Sequence, residues 1–336
     1  MEVPVLLGLL SALGVLMVAV TLAMLTARLV GLRARWFEIV AALVAGMLVA
    51  GAIWVTGITG IPAAFALPVI ALGGLFATVV TLHQRETGAG RVATLVFAAV
   101  TTVLVFAPLV TIVFALSYDP FATGIGYLDL GAGLPVGVAA GAAVLAVAIL
   151  DRRLVLPEVA PARAWSLLWP VILLIAGWLA WLSGLELAVD SLTPVILLNT
   201  LLTPAGAVAA WAVVERARHR RNSLRGVVYG LLAGLAAATP AAGYLIPGLA
   251  VITGVAVGAL SALLPRRDGA ATVGGILLIG GGTSLILLGL IAKDVSFIYT
   301  GQPEVIFGQV LTVVVGAVLG FALGAAAWAG LRLIRR

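Results

Sequence analysis

Two histidines, His83 and His219, are the only side chains here whose ordinary titration falls near neutrality, and cysteine is absent. Both histidines stand among charged neighbours, in Leu82-His83-Gln84-Arg85 and Arg218-His219-Arg220. The chain therefore has no thiolate nucleophile, no structural disulfide and no thiolate metal site, and two isolated histidines make a poor imidazole metal site. Serine and aspartate residues form no plausible Ser-His-Asp set, because both histidines belong to charged segments at the edges of apolar runs. Gly280-Gly281-Gly282 is not a phosphate loop: no Lys-Ser/Thr follows, and the run lies inside an apolar stretch. These absences predict no enzyme activity, no metal and no cofactor.

The elements that must carry any function are set by composition. Of 336 residues, 63% are hydrophobic and 10% charged, against about 25% charged in soluble domains. One bilayer crossing takes about 20 apolar residues, and the apolar runs between charged or Pro/Gly breaks number eleven. They lie near 4–30, 37–58, 62–82, 91–116, 127–150, 164–184, 191–213, 224–242, 244–264, 270–292 and 305–333. The expected fold class is an all-α polytopic membrane protein of eleven transmembrane helices. Glu2 precedes the first run without a positive segment, which speaks against a cleavable leader.

An odd number of crossings puts the two ends of the chain on opposite sides. Alternate loops then separate the basic residues: Arg28, Arg33, Arg35, Arg85, Arg91, Arg152, Arg153, Arg163, Arg216, Arg218, Arg220, Arg221, Arg225, Arg266, Arg267, Arg332, Arg335 and Arg336 on one side, and Lys293 alone on the other. The positive-inside rule predicts a cell (plasma or inner) membrane protein with its N-terminus outside and its C-terminus cytoplasmic. The arginines read as topology signals and contacts to anionic lipid rather than nucleic-acid ligands. On the outer face Glu2, Asp119, Asp129, Glu186, Asp190, Asp294 and Glu304 oppose that lysine. Two readings stand for this face: an acidic mouth that concentrates cations, or translocated loops that are merely poor in arginine.

Glycines recur at spacing four in Gly133/Gly137/Gly141, Gly226/Gly230/Gly234 and Gly316/Gly320/Gly324, stripes that let neighbouring backbones approach closely. Thr193-Pro194, Thr203-Pro204 and Thr239-Pro240 mark helix breaks near or within the membrane. Ordinary membrane-helix prolines explain them more simply than discontinuous-helix sites do.

Several motifs resemble the ammonium transporter (Amt/Mep/Rh) family. Phe106-Ala107-Pro108-Leu109-Val110, followed by Gly126-Tyr127-Leu128-Asp129-Leu130-Gly131-Ala132-Gly133, is similar to its fourth and fifth helices. Leu198-Asn199-Thr200-Leu201-Leu202 and Tyr229-Gly230 through Ala238-Thr239-Pro240-Ala241-Ala242-Gly243-Tyr244 follow in the family's order, as does Gln309-Val310-Leu311. The resemblance runs nearly end to end. It implies eleven helices in one transmembrane unit (1–336), with inverted five-helix halves at about 1–150 and 163–292 and a last helix at about 305–333. It also implies a homotrimer with one pore per subunit and a small-solute cargo. The chain ends soon after its last span, so a regulator docking on a cytoplasmic tail would find little to hold.

The resemblance also names site positions and shows where this chain departs. Phe114 falls on the family's cage tryptophan, Trp181 on a phenylalanine and Leu185 on the cage serine, so an outer cation site keeps two aromatic faces and loses a hydroxyl. Plain core or interface aromatics are the competing reading. Asp129 keeps its motif place and is expected to cap the fifth helix, supporting the cation site, in preference to the alternative of touching the substrate directly. The family's two mid-membrane histidines fall here on Gly137 and on Val273 or Leu277, the register being open by one turn. The twin-histidine relay is therefore absent. Gly137 either widens the lumen or marks close packing that closes it. The function implied is a channel or transporter for ammonium, ammonia or a similarly small solute. The alternatives are another neutral or larger solute, or a non-conducting sensor or scaffold.

Overall fold

A computed structural model describes residues 2–32, 35–116, 126–151, 164–264 and 269–334. Asp119 of the outer acidic set, and Arg33, Arg152, Arg153, Arg163, Arg266, Arg267, Arg335 and Arg336 of the basic set, lie outside the described residues. Among the described residues ten helices are long and apolar enough to span a bilayer. In chain order with one shorter helix they are α1 Val3–Leu29, α2 Trp36–Val55, α3 Ala63–Val80, α4 Arg91–Ala115, α5 Leu134–Asp151, α6 Ala164–Leu185, α7 Thr193–His219, α8 Leu224–Ala241, α9 Pro247–Ala262, α10 Ala270–Ile291 and α11 Glu304–Ile334. The shorter one is α9, whose 16 residues cover about 24 Å at about 1.5 Å per residue. The expected all-helical membrane fold is thus present, and the expected eleven apolar segments each correspond to a helix.

Large apolar side chains stand exposed around the bundle, among them Leu48, Val55, Trp165 and Phe307. In water such a surface would be an aggregation hazard, and in lipid it is the favoured one. Inside, glycine sets the helix spacing. A Cβ on Gly14 of α1 would lie 2.6 Å from the Gly177 carbonyl of α6, and one on Gly184 of α6 would lie 2.5 Å from the Ser11 nitrogen of α1. The backbones of α1 and α6 are therefore in direct contact, as small residues permit. Similar glycine contacts join α2 to α3, α7 to α9, and α5 to α11.

Hydrogen bonds between helices satisfy some of the polar groups inside the bundle. Pro240 stands inside the last turn of α8, where Ser284 of α10 donates to the nearby Ala237 carbonyl at 2.6 Å and Pro240's own carbonyl accepts from Leu130 N–H at 3.1 Å. At the arginine-rich end a short helix, Leu82–Thr87, ties the bundle together. Both Glu86 carboxylate oxygens accept from Ala270 N–H at the start of α10, at 2.8 and 3.0 Å. His83 Nε2 lies 3.3 Å from Asp151 Oδ2, and Asp151 also pairs with Arg332.

Candidate functional site

The fifth span begins later than hydropathy indicates. Residues 126–132 are not helical, and after Gly133 α5 opens at Leu134 with a π-helical stretch, Leu134–Ala139. Asp129 organises this entry. Its carboxylate accepts from Gly133 N–H at 2.7 Å, Leu134 N–H at 2.8 Å and the Tyr127 hydroxyl at 2.8 Å. These are the amide donors that a helix start leaves unpaired. Asp129 is buried at 5% exposure, so it serves the helix end and does not belong to an acidic surface.

Below it, α5 faces α10 across a small cavity lined by Gly133, Val136, Gly137, Trp178, Trp181, Ala236, Thr239 and Leu277, with Leu22, Leu75 and Val79 closing the sides. The space open to the centre of a water molecule is about 10 Å³, which is about what one water needs. The glycine stripe divides here. A Cβ on Gly137 would meet nothing closer than the Leu277 carbonyl at 3.5 Å, whereas one on Gly133 would strike Pro240 at 2.8 Å and one on Gly141 would strike Leu278 N at 2.7 Å. Gly133, at the cavity's edge, and Gly141 are packing contacts, while the cavity leaves room for a methyl at Gly137. Leu277 lines that cavity with it; Val273, one turn earlier, is buried but does not.

The walls carry few polar atoms. Trp178 Nε1 donates to Thr239 Oγ1 at 3.0 Å, and the Thr239 hydroxyl donates to the Leu235 carbonyl at 2.9 Å. Trp181 is fully buried, and its Nε1–H has no hydrogen-bond partner among the described residues. No ionisable side chain is among the lining residues.

The aromatic residues fall into two pairs. Phe114 packs on Phe65, with ring centroids 5.0 Å apart, while Trp181 packs on Trp178 at 5.2 Å. Phe114 and Leu185 are buried. Phe65, which sits in the 3-10 turn Ala63–Phe65 that opens α3, has no counterpart in the motifs read from the sequence. The signal available was only a single ring after Ile61-Pro62 in an apolar run.

A family model described as Ammonium Transporter Family matches residues 75–335. Among curated relatives, a putative ammonium transporter of Methanothermobacter thermautotrophicus is 27% identical over 233 residues, 62% of this chain and 57% of the relative. An ammonium transporter of Bacillus subtilis is 31% identical over 140 residues, 40% of this chain and 34% of the relative. The chain thus spans about half the length or less of these relatives. Its fold matches the crystal structure of Saccharomyces cerevisiae Mep2 with a TM-score of 0.78 at 19% identity, over 96% of this chain and 83% of that one. It also matches a structure described as a Sensor Amt Protein, with a TM-score of 0.80 at 16% identity, over 100% and 95%.

Proposed function

Since the chain belongs to the Ammonium Transporter Family, we propose that it is a membrane channel that passes ammonia, or a neutral solute of similar size, through the cavity between Gly137 and Leu277. The observation that carries this reading is the cavity's size and lining: about 10 Å³, walled by apolar groups and three polar side chains, none of them ionisable. A charged ammonium ion entering such a space would shed its water without a compensating charge. An indole N–H only donates. The unpartnered Trp181 Nε1–H therefore suits a molecule with a lone pair, which ammonia has and ammonium lacks. Gly137 and Leu277 stand at the family's histidine positions in this reading, so no imidazole relays a proton at mid-lumen. Phe114 with Phe65 forms the outer aromatic approach, and Asp129 supports it by fixing the start of α5.

Two inverted halves, 1–150 and 163–292, with α11 beside them, are supported by the pairing of α1 with α6, the first helix of each half. A homotrimer, and an N-terminus outside with the arginine-rich end in the cytoplasm, complete the proposal. They rest on family membership and the charge distribution.

The same cavity argues against larger cargo. It also gives support to one competing reading, a protein that senses and does not conduct, because a space one molecule wide is close to shut. Stopped-flow entry of ammonia and of glycerol into vesicles carrying the reconstituted protein separates these. The expected result is faster ammonia entry than in protein-free vesicles, with glycerol unchanged. Equal ammonia rates with folded protein would leave the sensor reading.

A further inference from the structure

A second cavity, of about 430 Å³, lies at the arginine-rich end of the bundle among α1, α2 and the short helix Leu82–Thr87. It shares no lining residue with the lumen beside Gly137, and its volume is in the range of small-ligand pockets, about 300–1,000 Å³. Its walls set the apolar Ala23, Ala27 and Ile39 against Arg35, Arg85 and Glu86.

Arg85 is 9% exposed. Its Nη2 donates to the Thr78 carbonyl, and its Nη1 has no partner among the described residues. A buried guanidinium with an idle N–H is costly unless something accepts from it, and burial draws the Arg85 group down to about 10. The carboxylates of Glu38 and Glu86 attract Arg85 through their charge, but neither accepts a hydrogen bond from its Nη1. Glu86 is spent on the Ala270 N–H, and Glu38 lies 3.3 Å from Arg35 Nη1 and 3.8 Å from Arg91 Nε. Three guanidinium groups thus share two carboxylates. The positive excess grows when Glu86 takes up a proton, and burial raises that carboxyl to about 7.

An arginine nitrogen only donates, so the occupant must accept, and the excess charge calls for an anion. We propose that this cavity binds an organic phosphate, with the phosphate held by Arg85 and Arg35 and a small apolar body laid along Ala23, Ala27 and Ile39. The phosphate comes either from a soluble monoester or from the headgroup of an anionic lipid.

The test uses the full chain purified in a neutral detergent and titrated with butyl phosphate in one arm and phosphatidylglycerol in the other. Butanol and phosphatidylcholine serve as controls. Saturable one-to-one binding is expected in at least one phosphate arm, weakened at least tenfold both by Arg85→Gln and by Ala27→Leu, which fills the cavity without altering charge. Binding of butyl phosphate alone assigns a soluble ligand, and binding of phosphatidylglycerol alone assigns a lipid. If neither phosphate binds, or if binding ignores a folded Ala27→Leu variant, the proposal falls.

Discussion

Gly137 and Gly141 lie one turn apart in α5, yet their surroundings demand opposite outcomes on substitution. Gly137→Ala places its methyl no closer than 3.5 Å to the Leu277 carbonyl. It is expected to hold or raise stability by up to about 1 kcal/mol, the usual helix gain over glycine, while slowing flux by narrowing the cavity. Gly141→Ala drives its methyl to 2.7 Å from Leu278 N and is expected to cost about 1–3 kcal/mol. Thermal unfolding of both variants in detergent checks the pair, and equal destabilisation would remove Gly137 from the lumen wall. Trp181→Phe keeps the ring and deletes the donor. If Trp181 Nε1–H greets ammonia, flux drops about two- to tenfold, the worth of one net hydrogen bond. At this scale the sequence could name Gly137 only through a family motif. It could not choose between Val273 and Leu277, because both are apolar residues of one uninterrupted helix. Facing backbones decide the register, and no one-dimensional pattern records them.

The eleven elements were legible because hydrocarbon thickness imposes a length on every crossing and charge accumulates on one side. The boundary at Tyr127 was not. Residues 127–133 are apolar enough to extend the fifth span, but Asp129 takes the amides of Gly133 and Leu134 and fixes the start of α5 at 134. Hydropathy counts side chains and cannot see a carboxylate spent on a helix end. The short helix Leu82–Thr87 supplies a prediction in pH. Burial lifts Glu86 from 4.5 to about 7, with Ala270 N–H and Arg85 pulling back. The folded chain therefore keeps a proton that the unfolded chain has lost, and stability falls as pH rises from 4.5 toward about 7. His83 opposes this. Burial, and then Arg332, lower it from 6.5 to about 4, so its part of the stability rises with pH across that interval. Glu86→Gln removes the first effect and keeps an acceptor for Ala270. Its melting temperature is expected to climb relative to the parent from pH 4.5 up to pH 7. A difference that does not change with pH would contradict the burial of Glu86 against α10.

For the whole molecule, composition alone indicated a lipid-facing bundle. The exposed Leu48, Val55 and Phe307, with glycine contacts such as Gly14 on Gly177, give the arrangement its physical sense: bulk outward, small residues inward. Functional detail was less legible, because transport through a narrow lumen depends on what is missing from it as much as on what is present. The sequence set both histidines among charged residues, whereas the cavity of about 10 Å³ and the idle indole N–H belong to the folded chain alone. The central claim is that cargo crosses uncharged. Its most direct test records membrane current and internal pH together on proteoliposomes given an inward ammonium chloride gradient. The account predicts protein-dependent internal alkalinisation with no sustained current. A current that rises in proportion to reconstituted protein would mean that ammonium crosses with its charge, and would contradict it.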